Sequence, residues 1–314
     1  MKKFFLKSAL FLLVLASLTS VVVFIFEKGL GTITNSYNLK RQQLESQADS
    51  IEVLVLGTSQ SLHGINPSYF SLKGYNAGNS AQTIFYDVGI TLKYLNKMRK
   101  LKYVLIAISD YSMGFELYET DEKWRDYFYA QCWGIKYPEI KSTDMYLYSK
   151  ILLYTPEVSL GYAVKCFHVN LTEDYYPNGW ARLTTTTEIN DHNAYILAHK
   201  NFYHSNCYEN IKGNLDTLLY ELKKRNITPV FFTPPITSCY FKFVPKEHLD
   251  TMYSTVSGFC DKYKCRYLDY VSDKRFQNSD FADCNHLNSS GAEKFSKILN
   301  ADILEQGTLS TLKK

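Results

Sequence analysis

Residues 9–26 form an apolar run broken only by Ser17, Thr19 and Ser20, and Lys2, Lys3 and Lys7 precede it. Eighteen helical residues span about 27 Å, close to the roughly 30 Å hydrocarbon core of a bilayer. The basic flank favours a cytoplasmic N-terminus, which sends the remaining chain across the membrane. Residues 1–28 are therefore read as an N-terminal membrane anchor with the rest of the protein outside the cytoplasm, periplasmic or extracellular. A cleavable signal peptide is the competing reading. Its small-residue cleavage site would fall at Ala16-Ser17-Leu18-Thr19-Ser20, in mid-segment, because the apolar run resumes through residues 21–26. The polar residues 29–50, with Lys40, Arg41, Gln42 and Gln43, predict a stalk.

Beyond the stalk, short apolar runs alternate with amphipathic stretches. Residues 51–56 read as a buried strand ended sharply by Gly57, and a short segment ending Gly74-Tyr75-Asn76 as a second. Residues 82–99 predict a helix and 102–108 a third strand. Residues 209–225 predict another helix, and 227–233 a fourth strand stopped by Pro234-Pro235. A helix over 246–264, a fifth strand over 265–270 and a final helix over 289–303 complete the series. Strands separated by helices predict an α/β domain over residues 51–314, with a parallel five-stranded sheet covered on both faces. In such sheets ligands bind beyond the carboxyl ends of the strands. Between about 112 and 208 the alternation weakens and aromatics crowd in, with Trp124, Trp133 and Trp180 among them. This insertion either caps a site, cradles an extended ligand or packs as an ordinary subdomain.

Charge and cysteine content narrow the picture. Four lysines and one glutamate of the chain lie in residues 1–28, so the remainder carries 31 basic and 30 acidic residues. Near-neutral charge and the lack of a long basic run argue against nucleic acid as a partner. None of the seven cysteines (Cys132, Cys166, Cys207, Cys239, Cys260, Cys265 and Cys284) forms a C-x-x-C pair. Zinc-ribbon and thioredoxin readings therefore fail, and most of these cysteines read as small buried hydrophobes. His192, His199 and His204 lie close in sequence but lack a recognised ligand spacing, so no metal and no cofactor is expected.

Candidate chemistry sits at two places. The first strand runs into Gly57-Thr58-Ser59-Gln60-Ser61, and a serine on the turn leaving a central parallel strand is placed for nucleophilic attack, with backbone N–H groups beside it. The bland alternative is an ordinary helix cap. Near the C-terminus, Asp283-Cys284-Asn285-His286 precedes the last helix, where an aspartate three residues ahead of a histidine can bring both side chains to one mouth. Ser59, His286 and Asp283 then read as nucleophile, base and orienting acid. His63, four residues after Ser59, reads as capping or packing beside the first helix, with substrate contact as the alternative, and Asp110 could mimic a triad acid but is less well spaced than Asp283.

This pairing resembles the SGNH (GDSL-type) hydrolase superfamily, whose members carry Gly-Asp-Ser near the start and Asp-x-x-His near the end. The resemblance covers most of residues 51–303, residues 112–208 apart, and implies a flavodoxin-like three-layer sandwich. Gly57-Thr58-Ser59 stands for the first block, with threonine in place of aspartate. Asn76-Ala77-Gly78-Asn79-Ser80-Ala81 lines up with the second block, whose oxyanion-hole glycine falls on Ala81, or alternatively on Gly78. Ala107-Ile108-Ser109-Asp110 matches the third, with Ser109 in place of its asparagine. The resemblance thus implies an oxyanion hole built from Ser59, Ala81 and Ser109. Within the superfamily, residues 57–67 and 75–79 look closest to membrane-anchored surface-polymer proteins, the DltD-like and alginate-acetylation proteins, which work beside membrane-bound O-acyltransferases. What this implies is a serine esterase or O-acyltransferase outside the cytoplasm. Its substrate would be an acyl ester, acetyl above all, of a cell-surface or secreted polysaccharide, and its partner a membrane-bound O-acyltransferase. The alternative is a non-catalytic scaffold that keeps the fold to bind glycan or such a partner.

Overall fold

The structure, a computed structural model, describes residues 1–164, 171–172, 174–200 and 204–304. Cys166 lies outside the described residues, and the six described cysteines are free thiols. A long helix, α1 (Lys2–Leu30), opens the chain and is followed by α2 (Ser36–Gln47). Then come β1 (Val53–Leu56), α3 (Ser59–Gly64), β2 (Gly74–Asn76), α4 (Ile84–Tyr94) and β3 (Tyr103–Ala107). The insertion carries α5 (Trp124–Phe128), α6 (Lys150–Leu153), α7 (Pro156–Val164) and α8 (Asp191–Lys200). The alternation resumes with α9 (Tyr208–Lys224), β4 (Thr228–Thr233), α10 (Ser238–Phe241), α11 (Lys246–Tyr263), β5 (Arg266–Asp269) and α12 (Ser289–Leu304).

All five strands are parallel, in the order β2-β1-β3-β4-β5. This is the flavodoxin-like doubly wound order, with its switch point between β1 and β3. Because side chains alternate across a pleated strand, both faces must be apolar for both to be covered. Leu54, Leu56, Val104, Ile106 and Phe231 pack on one side, against Ile90 of α4, Leu215 and Leu218 of α9 and Val256 of α11. Val53, Val55, Leu105, Ala107, Val230 and Phe232 pack on the other, against Phe295 and Leu299 of α12. The expected three-layer α/β sandwich is therefore the fold. Val55 sits opposite both Asn76 and Leu105, so β1, β2 and β3 end at one edge and release their loops side by side.

Residues 29–50, expected as a stalk, are folded onto the domain. Leu30, Ile33, Tyr37 and Leu44 belong to the same core as the sheet. Asn35 caps α2 by accepting from the N–H groups of Tyr37 and Asn38, and the Asn38 side chain reciprocates on the Asn35 N–H. Tyr37, Lys40 and Leu44 recur on one helical stripe, and this narrow stripe inside a polar segment is what docks. Lys40 is fully buried and donates to the carbonyls of Asn76 (2.7 Å) and Gly179 (2.6 Å). α1 is long and apolar enough to cross a membrane, and its large apolar side chains from Phe4 to Ile25 are exposed, while Phe26 and Leu30 at its end meet the domain.

Candidate active site

The turn after β1 is shaped by Gly57, whose φ of +127° is open to glycine alone. A Cβ there would lie 2.6 Å from the Ala107 Cβ and 2.7 Å from the Ser61 Oγ. The Gly57 N–H donates to the buried carboxyl of Asp87 (3.0 Å), and the Gly57 carbonyl accepts from the Asn79 N–H (3.1 Å). Thr58 then caps α3, and Ser59 is the first helical residue. Its N–H is a helix-end donor with no hydrogen-bond partner among the described residues, on a partly buried residue at the sheet edge.

The second half of the site is a tight loop held by its own acid. Phe281 pairs antiparallel with Leu287, and the Ala282 N–H donates to the His286 carbonyl (2.9 Å). Within this loop Asp283 Oδ1 accepts from the N–H groups of Asn285 (2.9 Å) and His286 (2.8 Å). Asp283 also meets the His286 ring, with Oδ2 2.8 Å and Oδ1 3.1 Å from Nδ1. A carboxylate only accepts, so Nδ1 carries the ring proton and Nε2 keeps a lone pair. That lone pair faces Ser59, with Oγ and Nε2 2.8 Å apart. Burial pushes the Asp283 carboxyl up. The hydrogen bond and charge of His286 and the two backbone N–H donors outweigh burial and hold it below the usual carboxylate range. The arrangement sets a base to take the serine proton and an anion to steady the resulting imidazolium.

Of the other expected residues, Ala81 stands in the left-handed region at φ +52°, where the superfamily's glycine would be unstrained. Its N–H has no hydrogen-bond partner among the described residues. Ser109 is arranged differently from the expectation. Its hydroxyl has one proton and donates it to Gln60 Oε1, so it is not offered to an oxyanion. Gln60 in turn donates through Nε2 to the Asn285 carbonyl (3.3 Å), so Ser109 braces the histidine loop through Gln60. Asp110 is buried, which pushes its carboxyl up to about 7, and no hydrogen bond joins it to the Ser59 or His286 side chain among the described residues. His192, His199 and His204 are not gathered about a common point, and no such metal-holding group occurs among the described residues.

Several other residues shape the site, and of these Asp87 carried no usable sequence signal. Asp87 holds both Gly57 and the Gln82 amide (2.6 Å), and burial pushes it up to about 7. Asn76 ties the end of β2 to α3 by donating to the carbonyls of Ser61 and Ile65. His63 stands edge-on to His286, with ring centroids 6.0 Å apart. It donates from Nδ1 to the Ala181 carbonyl (2.9 Å), which leaves its Nε2 lone pair free of the proton. Burial holds its pKa at about 4. The insertion reaches the site here. Trp180 Nε1 donates to the His63 carbonyl, the Ala181 N–H to Leu62, and farther on the Thr187 N–H to the Ala282 carbonyl. Residues 181–187 therefore run along the rim from α3 to the histidine loop. A run of threonines at 184–187 could have marked an exposed strip, but not its destination.

No family model matches the chain, and no curated protein matches it. Among solved structures it is similar to a GDSL-like lipase from Bacteroides thetaiotaomicron, at 11% identity over 86% of this chain and 100% of that one, with a TM-score of 0.40. It is also similar to a proposed acylhydrolase from Bacteroides fragilis, at 11% identity over 86% of this chain and 99% of that one, with a TM-score of 0.42. A third is a proposed lipolytic protein of the G-D-S-L family from Desulfitobacterium hafniense, at 10% identity over 80% of this chain and 98% of that one, with a TM-score of 0.38. The chain is a flavodoxin-like α/β sandwich that carries hydrogen-bonded Ser59, His286 and Asp283 at the carboxyl edge of its sheet.

Proposed function

We propose that the protein is an SGNH-type serine hydrolase or O-acyltransferase, anchored by α1 and working outside the cytoplasm on acyl esters of a surface or secreted polysaccharide. The observation that carries the chemistry is the unbroken line Ser59 Oγ, His286 Nε2, His286 Nδ1, Asp283 Oδ2, each contact 2.8 Å. Ser59 Oγ attacks the acyl carbonyl carbon while its proton passes to His286 Nε2. The ester C–O bond breaks, the leaving alkoxide takes that proton, and the acyl group remains on Ser59. The free N–H groups of Ser59 and Ala81 are the donors for the developing oxyanion. Water or a sugar hydroxyl then gives its proton to His286 as its oxygen attacks the acyl carbon; the acyl C–Oγ bond breaks, His286 returns the proton to Ser59 Oγ, and the acid or the new ester leaves. His63 Nε2, a neutral acceptor beside His286, suits alignment of that incoming hydroxyl. The exposed threonines of the rim favour a polyhydroxylated ligand, and Lys2, Lys3 and Lys7 before the apolar run favour an outward-facing domain.

The scaffold reading draws on Ser109, whose commitment to Gln60 leaves the hole without the side-chain donor that the resemblance implies. A serine-directed fluorophosphonate probe on the full chain in detergent separates the two. Labelling of Ser59 that is lost on heat denaturation supports the enzyme. Absence of labelling in protein that melts cooperatively removes the enzymatic reading.

A further inference from the structure

The insertion meets α1 just where its apolar run stops. Phe26, the last residue of that run, packs edge-on against Tyr162 of α7, with centroids 6.5 Å apart. One residue on, the Glu27 carboxylate accepts from the Ser149 hydroxyl and from the N–H groups of Lys150 (2.7 Å) and Ile151 (3.2 Å), and so caps α6. A Cβ on Gly29 would come within 2.0 Å of the Tyr162 Oη, so glycine is what lets α7 lie against α1. At 1.5 Å per residue, Phe26 to Gly29 covers about 4.5 Å along the helix axis. The headgroup zone on each side of the hydrocarbon is about 5–8 Å deep. With α1 across a bilayer, α6 and α7 are therefore held at headgroup depth.

What α6, α7 and the turn before α6 show to the outside is mostly apolar, with Thr155 and Glu157 as exposed polar exceptions between the two helices' apolar side chains. Tyr148 is 72% exposed, Met145 68% and Leu160 65%, with Leu152 and Tyr146 also open. Met145, Tyr146, Tyr148 and Leu152 lie within four residues of Ser149, and Leu160 is two residues from Tyr162. Tyrosines with aliphatic side chains at that depth match the composition of a membrane interface. Lys28 adds a cation at the same level. We infer that the segment from Met145 to Val164 is a membrane-resting lip, whose exposed tyrosine, methionine and leucine side chains enter the outer interface of the phospholipid bilayer. This rests on the proposed reading that α1 spans a membrane and goes beyond it, because a single span would leave the domain free to tilt.

The test places the photoreactive residue p-benzoylphenylalanine at one position at a time in the full chain: Leu18 within the span, Tyr148 and Leu160 on the lip, and Tyr220, exposed on α9 outside the lip, as the control. Cells are irradiated with their membranes intact, and the purified chain is weighed by mass spectrometry. Phospholipid adducts at Leu18, Tyr148 and Leu160, and none at Tyr220, support the lip. A phospholipid adduct at Leu18 alone overturns the lip and leaves the span standing. Adducts at Tyr148 and Leu160 to another polypeptide instead of lipid overturn it in favour of a protein partner. Absence of adduct even at Leu18 removes the span, and the lip with it.

Discussion

Three side chains and two backbone N–H groups divide the work proposed at the edge of the sheet, and their losses differ in kind. Ser59→Ala removes only a hydroxyl from a partly buried residue, so thermal stability should stay nearly unchanged while fluorophosphonate labelling disappears. His286→Ala should abolish labelling as completely, and the double variant should be no worse, because nucleophile and base act as a unit. Labelling that survives either change would sink the assignment. Ala81 stands at φ +52°, a conformation that costs a non-glycine residue about 1–2 kcal/mol. Ala81→Gly should recover part of that, less the extra chain entropy of glycine, and keep labelling intact. A lower denaturation midpoint together with lost labelling would show that the methyl group itself matters. Ser109→Ala strands Gln60 Oε1 in a buried place, which costs about 1–3 kcal/mol. Its effect should fall on stability and on the histidine loop, and be milder for labelling than loss of Ser59.

Among the elements, the strands and the helices between them were legible because their apolar periods are local. Residues 51–56 and 102–108 contain β1 and β3, and residues 209–225 contain nearly all of α9. Ser59, Asp283 and His286 could be named because each stands where a strand or helix terminus exposes it. What could not be read was long-range: the partner of Ser109, the reach of Ala181 to His63, and the docking of α2. A helix with only Tyr37 and Leu44 as apolar anchors looks solvated until the surface that receives it is known. Asn35 makes this docking testable, since it caps α2 and donates to the Tyr154 hydroxyl (2.7 Å). Asn35→Ala should lower the stability of the whole domain by about 1–2 kcal/mol, seen as a shift of the single unfolding transition. An unchanged midpoint would mean that α2 hangs free in solution.

On the scale of the molecule, the sandwich encloses more acid than it neutralises. Burial pushes Asp87, Asp110 and Asp126 up to about 7 and Glu116 up to about 8. Between roughly pH 4 and those values the folded protein keeps protons that the unfolded chain has released. Their contribution to stability is therefore full below about pH 4 and is lost as pH rises through 7 to 8. His63, held at about 4 by burial, acts in the opposite sense only below about 6.5, where an unfolded histidine gains its proton. Lys40, held well below the lysine range by burial, opposes above that as one group against four. The melting temperature should accordingly fall from pH 6.5 to pH 8, and Asp87→Asn should flatten that slope. A flat or rising profile in the parent protein would show that these carboxyls are ionised in place.

Lys40, anchored on the carbonyls of Asn76 and Gly179, has a consequence for how far the protein can search. A flexible coil as long as residues 29–50 would let a domain wander about 25 Å from its attachment point. Here that stretch is wound into α2 and pinned beside the nucleophile turn, so there is no leash. With α1 in a bilayer and the proposed lip resting on it, the proposed nucleophile Ser59 would be held within a narrow range of heights above the membrane. On the proposed reading, a polymer chain would have to pass through that plane to be acted on, and an acyl donor held in the same membrane would stay within the same thin layer. Encounter then becomes a two-dimensional problem, governed by the density of components in the membrane and hardly at all by their concentration in the fluid beyond it.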